Sequence, residues 1–234
     1  MSFIELFLRS GSLKIYKIPE ATVMRLSVYS RFLHQLIDEG VATVSSGDIA
    51  KGVGVSSAQV RKDLAYFGEF GTRGVGYRVD ELYGHLMKIL GLDQTWNIVL
   101  IGAGKLGSAL ALYQGFAERG FHISTILDVD PARIGTKLGN VEVEPLEVLQ
   151  DRVKENNIRV GVVTVPASAA QDVTDRLVQA GIKAILNFSP RILKVPNSVI
   201  LRNVDLSVNL EVLSFNLALN RYHFVNYSIT GKLL

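Results

Sequence analysis

Cysteine is absent from all 234 residues, which excludes disulfides, thiolate nucleophiles and thiolate metal ligands. That absence fits a reducing compartment, and a cytoplasmic location is expected. The four histidines (His34, His85, His122 and His223) lie scattered without ligand spacing, so no metal site is expected. No apolar run reaches the roughly 18 residues that a spanning helix needs, and no membrane association is expected. The stretch Phe3–Leu8 is apolar but interrupted by Glu5, and no small-residue cleavage site follows it. It reads as a short amphipathic lead-in rather than a signal peptide. Charge of one sign is scarce too. Residues 1–90 carry 11 basic and 9 acidic side chains and the remainder 14 and 13, a net charge of +3. Any argument for nucleic-acid binding therefore rests on local placement rather than bulk charge.

What is present is an ordinary globular composition, 48% hydrophobic and 20% charged, whose texture changes near Gly91. Helical patterns dominate before it. After it, the apolar runs Asn97–Ile101, Ile123–Asp128, Val160–Val165 and Ala184–Phe188 alternate with helical stretches, the mark of βαβ units on a parallel sheet. The expected fold class is α/β: an N-terminal winged helix-turn-helix, then a Rossmann (doubly wound parallel sheet) domain, then a C-terminal domain-swapped helix. The expected divisions are an extension over 1–17, a winged-helix domain over 18–91, a dinucleotide-binding domain over 92–206, and a dimerisation helix and tail over 207–234.

In the first domain Pro19 suits a first helical position, and Val23, Leu26, Ser30, Leu33 and Ile37 form one face up to Gly40. Ser45 and Asp48 resemble a capping box that starts a short helix through Ala50, and the stretch Gly52–Val55 forces a tight turn. Ser56 then caps a third helix through about Phe67. A short helix, a turn and a second helix outline a helix-turn-helix. In the third helix Val60, Leu64 and Phe67 point inward. Ala58, Lys62 and Ala65 point away, with Gln59 and Arg61 on the flanks. Small residues between long polar ones let a helix enter a major groove, where Lys and Arg donate to guanine and Gln pairs with adenine. The segment Phe70–Tyr77 reads as a glycine-rich hairpin whose tip presents Arg73 to a narrow minor groove. The DNA-facing set is thus Ser57, Ala58, Gln59, Arg61 and Lys62, with Arg73 and Gly74 on the wing. A three-helix domain with a solvated basic face is the plainer alternative.

The second domain opens on an apolar strand followed by Gly102-Ala103-Gly104-Lys105-Leu106-Gly107. This is G-x-G-x-x-G between a strand and a helix. Gly102 permits the tight turn, Gly104 lets a pyrophosphate approach the backbone, and Gly107 allows close helix–strand packing. Asp128 lies 21 residues past Gly107, about where an acid takes the ribose 2′-OH of NAD and repels the 2′-phosphate of NADP. Asp130 is a second candidate, although Asp130-Pro131 also reads as a helix cap. Thr164-Val165-Pro166 and Asn187-Phe188 follow apolar runs at carboxyl strand ends, where an open sheet binds its ligands. They are expected to line the nicotinamide half, or else to be plain strand-to-helix turns. In the tail, Leu210, Leu213 and Leu217 occupy one helix face and Val212, Phe215 and Leu219 another. Such a helix needs cover on both sides, and exchange between subunits would supply it.

Taken together these segments resemble the Rex family of redox-sensing transcriptional repressors. The resemblance rests on Ile18–Thr22, Arg25-Leu26, Val44–Ser46, Ala58–Gly68, Gly71–Tyr77, Gly102–Gly107, Asp128–Pro131 and Ile185–Pro190, and spans about residues 18–220. It implies a homodimer on palindromic, AT-rich operator DNA, released by NADH and permitted by NAD⁺. It also implies a switch formed by an Arg of the first helix, a Tyr of the first Rossmann helix and an Asp before the swapped helix, here Arg31, Tyr113 and Asp205. The residue after that Asp is aromatic in some relatives and reaches toward the nicotinamide of the partner. Here it is Leu206, which can fill an apolar pocket without stacking. Two rivals compete, an NAD-dependent dehydrogenase and a CoA-binding module. No acid–base set supports the first, and Asp128 favours NAD over the second.

Overall fold

The computed structural model describes residues 3–5, 17–72 and 74–230 of the chain. It falls into two compact units, Met1–Gln94 and Thr95–Leu234. The first holds β1 (Phe3–Glu5), β2 (Lys17–Pro19), α1 (Glu20–Asp38), β3 (Thr43–Val44), α2 (Ser46–Val53), α3 (Ser57–Ala65), β4 (Tyr77–Arg78) and α4 (Val79–Ile89). The second holds β5 (Trp96–Ile101), α5 (Lys105–Ala111), α6 (Gln114–Ala117), β6 (Phe121–Asp128), β7 (Lys137–Leu138), β8 (Val141–Pro145), α7 (Leu149–Glu155), β9 (Val160–Val163), α8 (Ala170–Gln179), β10 (Ala184–Asn187), β11 (Ile200–Asn203) and α9 (Leu206–Thr230).

The N-terminal unit packs α1, α2, α3 and α4 around Leu26, Leu33, Ile49, Val60, Leu64, Leu82 and Leu86. Its local signals are as the side chains dictate. The Ser45 hydroxyl accepts from the Asp48 amide at 3.1 Å while the Asp48 carboxylate reaches back to the Ser45 amide, so two orphan donors at the start of α2 are satisfied. Ser56 accepts from the Gln59 amide at 3.1 Å and starts α3. Several details differ from expectation. Pro19 is not the first helical residue. It stays extended (φ −61°, ψ 136°) because its strand pairs with Phe3–Glu5, which is therefore a strand in the stretch expected to be a lead-in. The buried face of α1 is Thr22, Leu26, Tyr29, Ser30 and Leu33, whereas Ile37 is exposed. Hydroxyl residues can turn inward there because a buried carboxylate, Asp63, bonds Thr22 and Tyr29. The second helix runs on to Val53, ended by Gly54 in the left-handed region, and the third stops at Ala65.

In the C-terminal unit the strand order is β7-β8-β6-β5-β9-β10-β11. All neighbours are parallel except β7, which pairs antiparallel with β8 at the edge. The six parallel strands have the Rossmann order, with its reversal between β5 and β9. Successive residues of β5 serve opposite faces, Ile98 and Leu100 in one apolar layer and Val99 and Ile101 in the other, so both faces of the strand are covered. The runs expected over 160–165 and 184–188 pair only as far as Val163 and Asn187. β7, β8 and β11 are strands that the apolar runs did not announce. α9 carries Leu210, Val212, Leu213, Phe215, Leu217 and Leu219 all exposed in the single chain, Phe215 by 62%.

Candidate functional site

The glycine loop joins β5 to α5 at the point where the strand order reverses. Gly102 has φ +101°, a region that L side chains avoid, and its amide donates to the Leu127 carbonyl at 2.8 Å. The Thr164 hydroxyl donates to the carbonyls of Ile101 (2.9 Å) and Gly102 (2.7 Å), tying the loop to the end of β9. At Gly107 a Cβ would lie 1.8 Å from the Gly102 carbonyl oxygen, so only hydrogen fits. At Gly104 a Cβ would meet nothing within 4 Å, which leaves the backbone open on the ligand side. The tight turn at Gly102 and the close packing at Gly107 are as the spacing predicts.

Beyond this loop lies a cleft of about 560 Å³. It brings together Gly102, Gly104, Asp128, Asp130, Thr164, Val165 and Pro166 of the expected cofactor residues. Asp128, at the end of β6, has a side chain only 12% exposed. Its Oδ2 accepts from the Ala103 amide at 2.6 Å, and its Oδ1 from the amides of Val129 (2.7 Å) and Asp130 (3.0 Å). A carboxylate has about four lone-pair directions. Three are already used to hold the glycine loop and the next turn, and the fourth takes no hydrogen bond among the described residues. Asp130 accepts from the Ala132 amide at 3.0 Å, but it caps a turn rather than the helix that Asp130-Pro131 suggested.

Other expected residues lie elsewhere. Lys105 and Leu106 are exposed on the first turn of α5, and Ala103, within the loop, is buried. Asn187 does not face the cleft. It is fully buried, and its amide nitrogen donates to the Ser189 and Arg191 carbonyls and to Asn203 Oδ1, while its Oδ1 accepts from the Ser189 amide. With its hydrogen-bonding capacity spent on the loop after β10, it serves as an internal brace. Phe188 packs against the apolar layer that contains Leu100 and Ala103. Tyr113 is not in the first Rossmann helix, which ends at Ala111; it precedes α6, 59% exposed, edge-on to Phe116. Leu206 is exposed. Asp205 caps α9, accepting from the Ser207 amide and hydroxyl, and those bonds hold its carboxyl below the usual range. Arg31 sits on the exposed side of α1.

Three charged cleft residues escaped the sequence reading: Arg133, Asp172 and Arg176. Arg133 follows Asp130 by three residues, a spacing that signals an ion pair only once a turn is known there.

On the N-terminal unit α3 exposes Ala58, Arg61, Lys62 and Ala65. Next to it the chain makes a tight hairpin in which Thr72 and Gly76 exchange backbone hydrogen bonds at 2.9 and 3.0 Å. Between helix and hairpin is a concavity of about 610 Å³, lined by Ser46, Arg61, Ala65, Thr72, Gly74 and Tyr77 among others. Arg73, expected at the tip, lies outside the described residues. Arg61 donates to the Ser46 hydroxyl at 2.9 Å, across to α2. Gln59 departs from its expected role as an adenine reader: its amide nitrogen donates inward to Asp63 Oδ1 at 2.9 Å. The same carboxylate accepts from Arg25 Nε (2.6 Å) and Nη2 (2.7 Å), Tyr29 (2.8 Å) and Thr22 (3.1 Å). Asp63 is therefore the brace that fixes α3 on α1.

Two family models match. One, described as "CoA binding domain", covers residues 93–191, and one described as "Putative DNA-binding protein N-terminus" covers 17–65. The redox-sensing transcriptional repressor Rex of Syntrophomonas wolfei is 76% identical over 208 residues, spanning 89% of this chain and 99% of that protein. The chain belongs to the Rex family of redox-sensing transcriptional repressors. The Rex protein of Carboxydothermus hydrogenoformans is 62% identical over 88% of this chain and 99% of its own. Among solved structures, a repressor named RSP in complex with β-NAD⁺ and operator DNA has a TM-score of 0.83 at 42% identity, covering 93% of this chain and 99% of that one. RSP in complex with β-NADH gives 0.80 at 43%, covering 88% and 97%.

Proposed function

We propose that this chain is a cytoplasmic redox sensor rather than an enzyme: a homodimeric repressor that holds a palindromic, AT-rich operator and lets go when NADH fills the cleft. The observation that carries this is the cleft itself. The loop around Gly102, Gly104 and Gly107 and the largely shielded Asp128 converge at the switch point of the sheet, in a chain that also presents the helix-turn-helix of α2 and α3. These residues fit a nicotinamide dinucleotide: an open backbone at Gly104 for pyrophosphate, a free lone pair on Asp128 for the ribose, and Val165 and Pro166 as apolar walls. No helix among the described residues is long and apolar enough to cross a membrane, and no cluster of three metal-ligating side chains occurs among them. The winged helix is assigned to 18–91, the dinucleotide domain to 92–206, and the exchanged helix and tail to 207–234. Exposed leucines on both faces of α9 support its exchange with a second copy of the chain.

Discrimination between the two redox states has to come from the nicotinamide end, because the ADP half is common to both. The reduced ring is neutral and the oxidised ring cationic. Phe188, with Leu206 of a second copy, forms an apolar lid that favours the neutral ring, since burying an unpaired charge is costly. The ligand then shifts the dimer only by its difference in affinity for the two arrangements. In this reading Asp205, with Arg31 or Tyr113, reports which arrangement is adopted.

The test is a DNA-shift titration with NADH, NAD⁺ and NADPH side by side. NADH is expected to release operator DNA at concentrations where NAD⁺ and NADPH do not; equal release by all three would refute the reading. Lys62→Ala is expected to weaken operator binding by about 1–3 kcal/mol, roughly 5- to 150-fold, with NADH binding retained, because Lys62 stands exposed at the centre of α3. Unchanged operator affinity would remove α3 from the groove.

A further inference from the structure

Arg133 extends along the cleft beside Asp128. Its Nη1 donates to the Ala103 carbonyl of the glycine loop. Its Nε donates to Asp130 Oδ2 at 3.2 Å and stands 4.0 Å from Asp128 Oδ2. Its side chain is 40% exposed and lines the cleft. Of its five N–H donors, two are used by these contacts among the described residues. The guanidinium stands beside the carboxylate taken to mark the ribose 2′ position, its Nε 4.0 Å from Asp128 Oδ2. A cation at that place is the element that takes a 2′-phosphate in NADP-dependent Rossmann sites. Here two carboxylates surround it, and the cluster carries a formal charge of −1.

We infer that Arg133 is a specificity-determining residue, a latent 2′-phosphate site that Asp130 masks, so that selectivity for NADH over NADPH is set by the charge balance of Asp128, Asp130 and Arg133 and not by Asp128 alone. Asp130 is the controlling partner because its pair with Arg133 is the shorter and Asp128 is committed to three backbone amides. The inference rests on the nicotinamide-dinucleotide reading. Its chemistry is a competition between a carboxylate and a phosphate for one guanidinium, and it weakens with salt as exposed charges do.

The experiment is calorimetric titration of the full-length protein with NADH and with NADPH, read as the ratio of the two affinities. Asp130→Asn keeps an oxygen to accept from Ala132 and removes the charge. It is expected to raise the NADPH:NADH ratio about tenfold at low salt, less at high salt. Arg133→Gln in the wild-type background should lower the ratio severalfold, and the double variant should lose the gain of Asp130→Asn. A purely structural role for Arg133 would change both affinities together and leave the ratio still. An unchanged ratio in Asp130→Asn, or a gain that survives in the double variant, overturns the inference. Should Asp130→Asn bind neither cofactor, Arg133→Gln decides, and an unchanged ratio there overturns it. Failure of the wild-type protein to bind NADH would instead overturn the nucleotide reading itself.

Discussion

Replacing Arg25 by methionine is expected to destabilise the N-terminal unit by about 3 kcal/mol, the lower end of what removal of one partner from a buried ion pair costs. Asp63 is fully buried, and Arg25 supplies two of its five donors and the only counter-charge among them. Methionine keeps much of the volume but leaves the carboxylate with neutral donors alone. The lower end applies because the Arg25 side chain is 28% exposed and is itself partly hydrated. Set against the ~5–15 kcal/mol that a whole domain has, this loss is large. The melting of this unit should move to markedly lower temperature while NADH still binds the other, and operator binding should fail first, since Asp63 is what orients α3. A single unchanged melting transition with normal operator affinity would contradict this.

The same cluster sets a pH window. Burial drives the Asp63 carboxyl upward, but hydrogen bonds from Arg25, Tyr29, Gln59 and Thr22 together outweigh it and hold the group below its usual range. Its contribution is therefore present above the unfolded value of about 4 and is lost as pH falls through the lower, folded value. For Tyr29, burial first and the bond to Asp63 second push the phenol up. Its contribution is present below the unfolded value of about 10 and lost as pH rises through the higher, folded one. Unfolding of the isolated N-terminal transition should show a plateau between those limits, and Asp63→Asn should flatten the acid side.

Gly107→Ala should lower NADH affinity at least about a hundredfold, roughly 2.7 kcal/mol. The new methyl would sit 1.8 Å from the Gly102 carbonyl oxygen and 2.9 Å from the Thr164 hydroxyl. The first is backbone, and the second is held by its hydrogen bonds to the Ile101 and Gly102 carbonyls. The loop must open, breaking the Gly102–Leu127 and Thr164–Gly102 hydrogen bonds that shape it. Overpacking of this kind also costs stability, about 1–3 kcal/mol. Gly104→Ala is the informative contrast. Its methyl meets nothing in the protein, so stability should hold while affinity for the pyrophosphate falls. The pair is read by thermal unfolding alongside NADH titration. Equal effects of both substitutions on stability, or NADH affinity retained in Gly107→Ala, would contradict the assigned roles.

Much of this molecule follows from short-range rules. The caps at Ser45 and Ser56, the strand–glycine–helix order around Gly102, and the inward spacing of Val60, Leu64 and Phe67 depend on neighbours within a few residues. Short-range physics is printed in the order of residues, and so is the apolar burden of α9. The strands Val141–Pro145 and Ile200–Asn203 were not legible. The first alternates Val141 and Val143 with Glu142 and Glu144, and the second has a single partner at the sheet edge, so neither needs a continuous apolar run.

The site divides in the same way. Sequence alone determined that a glycine loop would face an acid at Asp128, because spacing within one βαβ unit is nearly invariant geometry. Only the tertiary structure decided what the neighbouring polar groups do. Gln59 sits on the flank of its helix, yet a buried Asp63 draws its amide inward. Asn187 ends a strand pointing at the cleft, yet the returning loop at Ser189 and Arg191 and the next strand at Asn203 capture it. Arg133 reads as a surface residue until the turn after β6 folds it back onto Ala103 and Asp130. A side-chain amide or guanidinium goes to whichever unsatisfied partner folding brings within about 3 Å. Arg25 and Thr22 are 38 and 41 positions from Asp63, and Ala103 is 30 from Arg133, separations at which sequence order says nothing about distance; Gln59 and Asp63 are neighbours one turn apart on α3, and there only the burial of the carboxylate was left to the fold.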